Sequence, residues 1–136
     1  MRSLTTILVL LTACAGPVLA DPTWDDLAGA QGTYEGRALS GGVMVAVETR
    51  LEAMPDGTLQ GTYSFVQDGK IYWGTLIHGR VAGPMHLVFI WHDDWGFGTI
   101  TLDFAPDFSS FVAAWAPLDD TSDAFPWVGR RQDSGG

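Results

Sequence analysis

MHLVFIWHDDWGFGTITLDF, from Met85 to Phe104, reads as two apolar strands joined by a short acidic turn. The first arm, Met85 to Trp91, is almost continuously apolar and rich in β-branched and aromatic side chains, the pattern of a strand buried on both faces. Two features favour strand over helix. The apolar run is too short for a helix, and the second arm alternates, with Gly98, Ile100, Leu102 and Phe104 on one face and Phe97, Thr99, Thr101 and Asp103 on the other.

Further strand-like segments flank this pair, each closed by turn residues. Upstream lie Thr33 to Leu39, Gly42 to Met54, Thr58 to Val66 and Ile71 to Val81, and downstream Phe108 to Ala116 and Phe125 to Arg131. The second is the clearest, with Val43, Val45, Val47, Leu51 and Ala53 on one face and Glu48, Arg50 and Glu52 on the other. The fourth is ambiguous, because Ile71, Trp73 and Ile77 share one side while Tyr72 and Leu76 share the other with His78 and Arg80. Ser40-Gly41-Gly42, Pro55-Asp56-Gly57 and Asp68-Gly69 suit tight reversals. Gly-Thr pairs recur at 32–33, 57–58, 74–75 and 98–99, as in a sheet that must curl. The expectation is an all-β domain over residues 32–131, an antiparallel up-and-down meander closing as a small eight-stranded barrel. Residues 21–31 are expected to form a strap with one helical turn, and 132–136 a flexible tail.

Residues 1–20 resemble an export leader, with Arg2 ahead of a short apolar core. Val18-Leu19-Ala20 is an A-x-A-like cleavage end, whereas Leu11-Thr12-Ala13-Cys14 resembles a lipobox, so a periplasmic or secreted protein and a lipoprotein anchored at Cys14 both stay open. Cys14 is the only cysteine, so cleavage after Ala20 would leave no disulfide and no thiol nucleophile. Stability must then come from burial, which 46% hydrophobic residues with six Trp and seven Phe make feasible. The formal net charge is −9, and losing Arg2 with the leader would make it one unit more negative. Such a surface repels phosphate backbones and anionic lipid, which argues against nucleic acid and an unlipidated membrane partner.

No G-x-S-x-G, H-E-x-x-H or phosphate-cradling glycine loop occurs, so no catalytic residue and no cofactor is assigned. His86 and His92 would lie roughly 20 Å apart on one strand, too far to share an ion. His92-Asp93-Asp94 at the central turn and Asp119, Asp120 and Asp123 in the last loop could meet a divalent cation, but each reads more simply as a solvated turn, and no metal site is assigned. The aromatic residues carry more information. Trp73, Trp91, Trp95, Trp115 and Trp127 fall on or beside the later strands, so closure would bring several round one interior. They serve either as core filler or as the wall of a pocket for an apolar small molecule.

The order Gly57-Thr58-Leu59-Gln60-Gly61-Thr62-Tyr63, then Leu87 to Trp91 with its acidic turn, then Trp115 and Trp127, resembles the layout of the exported eight-stranded barrels of the avidin and streptavidin family. A looser likeness to lipocalin-type and periplasmic inhibitor barrels fits equally well. The avidin resemblance implies a ligand cavity lined by Tyr63, Trp91, Trp115 and Trp127, to which the strand pattern adds Trp73. The chain departs from the pattern at Phe65, where that family has a serine, at Glu35-Gly36, where it has an asparagine, and after Trp127, where no late aspartate follows. What carries over is the barrel and its aromatic lining, without the contacts to biotin. Two functions follow as expectations. One is binding of a small, mainly apolar ligand near Tyr63, Trp91 and Trp115, with the last two as opposite walls of one mouth. The other is capture of a basic protein by an acidic rim that includes Asp93, Asp94, Asp119 and Asp120.

Overall fold

The computed structural model describes residues 20–118 and 124–132. Eight antiparallel strands follow one another round a closed barrel: β1 (Gly32–Ser40), β2 (Val43–Ala53), β3 (Leu59–Gln67), β4 (Lys70–Gly83), β5 (His86–Asp93), β6 (Gly96–Phe104), β7 (Ser110–Pro117) and β8 (Phe125–Arg131). Each pairs with its sequence neighbour, and β8 returns to β1 with Gly36 opposite Gly129, so the sheet has no free edge. The expected all-β meander and its closure are therefore present.

Turn chemistry fixes the register. Gly41-Gly42 and Asp68-Gly69 are two-residue links whose φ angles are all positive, the geometry that matches the right-handed twist of paired strands. With register set, alternate side chains turn inward. On β2 these are Val45, Val47, Thr49 and Leu51, and on β6 Gly98, Ile100, Leu102 and Phe104, all buried.

Three sequence expectations shift. The first arm of the central pair is not buried on both faces. Leu87, Phe89 and Trp91 are buried while Val88 and Ile90 stay partly exposed, because a single-layer barrel has no second sheet to cover its outside. That strand also begins one residue later, since Met85 takes a φ of 58°, and runs on to Asp93, which pairs with Gly96. The seventh strand starts at Ser110 rather than Phe108, which sits in the preceding turn at a φ of 58°. The ambiguity of the fourth strand has a cause as well. β4 bulges between Ile77 and Arg80, where His78 is left-handed, so no single alternation runs through it. Before the bulge Tyr72, Gly74 and Leu76 point inward and Ile71 and Trp73 outward.

The two ends of the barrel differ. Trp24–Ala30 forms a 3₁₀ helix that buries Leu27 and Ala30 completely and closes the end where β1 begins. Arg131, the last residue of β8, holds it there. Its guanidinium donates to the carbonyls of Gly29 (2.6 Å), Gln31 (2.8 Å) and Phe108 (2.9 Å) and to the Tyr34 hydroxyl (2.8 Å), which in turn donates to the Ala30 carbonyl at 2.7 Å. Above this plug Tyr34, Phe104 and Phe111 pack with ring centroids 5.2–6.0 Å apart. These tilted contacts make the plugged half of the interior a solid core.

Candidate functional site

The interior opens at the opposite end, where odd strands finish and even strands begin. A cavity of about 70 Å³ lies there, walled by side chains from β1, β2, β3, β5, β7 and β8 together with the β5–β6 turn. Of the five aromatic residues expected at a ligand site, Tyr63, Trp91, Trp115 and Trp127 converge on it. Trp73 does not join them. It projects from the outer face of β4 with 67% of its surface exposed and flanks a separate pocket beside Arg50 and Ser64. An indole one residue out of phase with the inward set must face solvent, and the β4 bulge hid that phase in the sequence.

Each inward ring is fixed by its own polar hydrogen. Trp91 Nε1 donates to the Ala116 carbonyl at 3.2 Å, Trp115 Nε1 reaches past β8 to the Leu39 carbonyl at 3.1 Å, and Trp127 Nε1 donates to Thr49 Oγ1 at 3.1 Å. Thr49 is the one buried polar side chain of the described interior and serves as that acceptor. Tyr63 packs edge-on against Trp127 with centroids 4.9 Å apart, and its hydroxyl donates to Asp93 Oδ2 at 2.6 Å. Burial, and then the neighbouring carboxylate as acceptor and as charge, pushes the Tyr63 phenol well above the ordinary tyrosine range. The hydroxyl therefore stays protonated and remains a donor.

Trp91 and Trp115 are not opposite walls. Their rings meet at right angles, 88°, with centroids 5.4 Å apart. The strand between them explains it. β6 crosses at Gly98, directly opposite Trp91, and a Cβ there would strike both the Trp91 indole nitrogen and the Ala116 carbonyl that accepts its hydrogen. The missing side chain lets the two indoles close over β6 and form one continuous aromatic surface. Gly74 does the same for Tyr63, because a Cβ at 74 would strike the hydroxyl end of the phenol ring. The Gly-Thr echo thus marks two places where a large ring leans over a neighbouring strand.

Sequence reasoning missed several members of the wall. Phe65 stacks beside Tyr63 with centroids 6.3 Å apart, and Val45 and Val47 of β2 complete the apolar side. Their inward phase was legible, but nothing marked them as nearer the open end than the plug. Trp95, in the β5–β6 turn, stands at the rim against Tyr72 at 5.5 Å. Asp93 is the largest departure. Expected on the acidic rim, it is instead the last residue of β5, half-buried and turned to the cavity, with Tyr63 on Oδ2 and the Trp95 backbone N–H on Oδ1 at 2.8 Å. Asp94 remains exposed, and Asp119, Asp120 and Asp123 lie outside the described residues. His86 pairs with Asp103 on the outer wall, and His92 is exposed.

The eight-stranded antiparallel closed barrel is consistent with an avidin-like or lipocalin-like layout. Compared with models of known families, with curated proteins and with solved structures, the chain finds no match.

Proposed function

We propose that this protein is an exported binding module that holds a small, mainly apolar ligand at the open end of its barrel, against the rings of Trp91, Trp115 and Trp127 and beside Tyr63. One observation carries the reading. The wall is aromatic and aliphatic, and the indole N–H groups of these three tryptophans are already bonded within the protein, so what faces the cavity is ring surface. A concave site with apolar walls and a few fixed polar groups is the usual form of a small-molecule site. The cavity suits a handful of heavy atoms, since one water needs roughly 10–15 Å³ and about 70 Å³ is open. Any larger part of a ligand would stand in the mouth.

The test is a titration with small neutral probes such as toluene and cyclohexanol, following tryptophan emission and the melting temperature. A saturable change in emission with a rise in melting temperature, both weakened by Trp115→Ala, is expected. Emission and melting indifferent to every probe would overturn the proposal. Export is part of the same reading. Intact mass of the secreted product should begin at Asp21, whereas an acylated Cys14 terminus would make the protein a membrane-anchored lipoprotein.

A further inference from the structure

We infer that the ligand of this cavity is a cation: a small organic ammonium group seated beside the Asp93 carboxylate, with its carbon skeleton on the tryptophan faces. The inference rests on reading the cavity as a ligand site and goes beyond it by naming the charge.

Among the described residues twelve line the cavity; none of these is Lys, Arg or His, and Asp93 is the only acidic one of them. Among the described residues no basic side chain lies within ion-pair distance of Asp93. A half-buried carboxylate beside aromatic rings is costly without a partner charge. Its geometry is nevertheless held from two sides, by the Tyr63 hydroxyl at 2.6 Å and the Trp95 N–H at 2.8 Å. A carboxylate offers about four lone-pair directions, so acceptor capacity remains on both oxygens.

Four donors of the wall point to the same chemistry. Tyr63, Trp91, Trp115 and Trp127 each have one polar hydrogen, and each spends it on the protein. These residues offer an anionic ligand nothing to bind. They offer a cation the electron-rich faces of their rings.

Position completes the argument. Trp91 and Asp93 lie on the same inward face of β5, separated by one residue and so about 7 Å apart along the strand, while Tyr63 touches the carboxylate directly. An ammonium group in contact with Asp93 would sit in the cavity that Trp91, Tyr63 and Trp95 also line, with aromatic surface beside it. The net charge of −9 also raises the local concentration of cations at the mouth.

Three probes of nearly one shape and different charge decide the matter: choline, its neutral carbon isostere 3,3-dimethylbutan-1-ol, and the anion 3,3-dimethylbutyrate. Binding is read by calorimetry and by tryptophan emission. Choline should bind at least about tenfold more tightly than the alcohol, and the anion most weakly. Asp93→Asn keeps the shape and an acceptor for Tyr63 while removing the charge, so the ratio of choline to alcohol affinity should fall toward one. Equal affinity for choline and alcohol, or tighter binding of the anion, would overturn the cation inference while leaving the apolar site standing. No response to any probe would overturn both readings. Should Asp93→Asn fail to fold, the ranking of the three probes on the wild-type protein still decides.

Discussion

The hydroxyl of Tyr63 donates to the carboxylate of Asp93 across 2.6 Å, joining the middle of β3 to the last residue of β5 at the edge of the aromatic cavity. Tyr63→Phe removes the donor and leaves a half-buried carboxylate with one bond fewer. The expected cost is about 1.5 kcal/mol, the lower end for a hydrogen bond to a charged group, measured as a shift in the urea midpoint at constant slope.

The same contact sets an alkaline limit. Burial raises the Tyr34 phenol, with Arg131 opposing the rise, and burial together with Asp93 raises that of Tyr63. Both folded values lie above the unfolded one, so above about pH 10 the unfolded chain holds fewer protons than the folded one, and stability falls as pH rises. This contribution is fully present below that pH. Ultraviolet titration should show Tyr34 and Tyr63 ionising only with unfolding, and Tyr63→Phe should flatten the alkaline loss of stability. Ionisation of both phenols in the intact barrel would contradict the assignment.

Trp91 and Trp115 share one edge-to-face contact but differ in burial, so their truncations should differ. Trp91 is 6% exposed and bonded to Ala116, whereas Trp115 is half-buried and open to the cavity on one side. Trp91→Ala is expected to cost about 3–5 kcal/mol, and Trp115→Ala less, about 2 kcal/mol, because that ring has fewer packed neighbours to lose. A double-mutant cycle by urea melts should return about 1 kcal/mol of coupling for the ring pair. Equal losses with no coupling would mean that the two rings do not form one surface.

How far the sequence reached follows from which forces are local. Alternation along β2 and β6 and the turn residues Gly41-Gly42 and Asp68-Gly69 act within a few positions, and they were enough to derive eight strands and closure. Tyr63, Trp91, Trp115 and Trp127 were legible as a group because closure forces inward rings together. Trp73 was misplaced because the bulge at His78 breaks the alternation that would have shown its phase. Asp93 reads from the sequence as a rim residue because one more strand residue, set by its pairing with Gly96, decides whether that carboxylate meets solvent or the cavity. The lean of Trp91 over Gly98 is fixed by the Ala116 carbonyl of β7, 25 positions away, which no local pattern encodes.

Arg131 gives a prediction at the plugged end. Its fork places four donor contacts on Gly29, Gln31, Phe108 and Tyr34, and the guanidinium carbon lies 5.0 Å from the centre of the Tyr34 ring. Lysine has one nitrogen on a flexible stem and cannot span that set. Arg131→Lys should therefore cost about 2–3 kcal/mol and speed amide exchange at Gln31, whose N–H bonds Ala28. Probe affinity at the far, open end should be unchanged. A matching loss of affinity would show that the two ends are coupled.

Gly74 offers the closest test of how the site is built. A Cβ at this position would occupy the space of the Tyr63 ring, so Gly74→Ala forces the phenol to tilt and draws its hydroxyl away from Asp93. Overpacking of this kind costs roughly 1–3 kcal/mol, and the lost hydrogen bond adds to it. Shrinking the ring should relieve the clash, so Gly74→Ala combined with Tyr63→Leu is expected to cost clearly less than the two single variants added together. Urea melts of the three variants measure this. If the losses simply add, the glycine is not making room for the ring, and the account of Tyr63 as a side chain held in place by the strand it leans over is wrong.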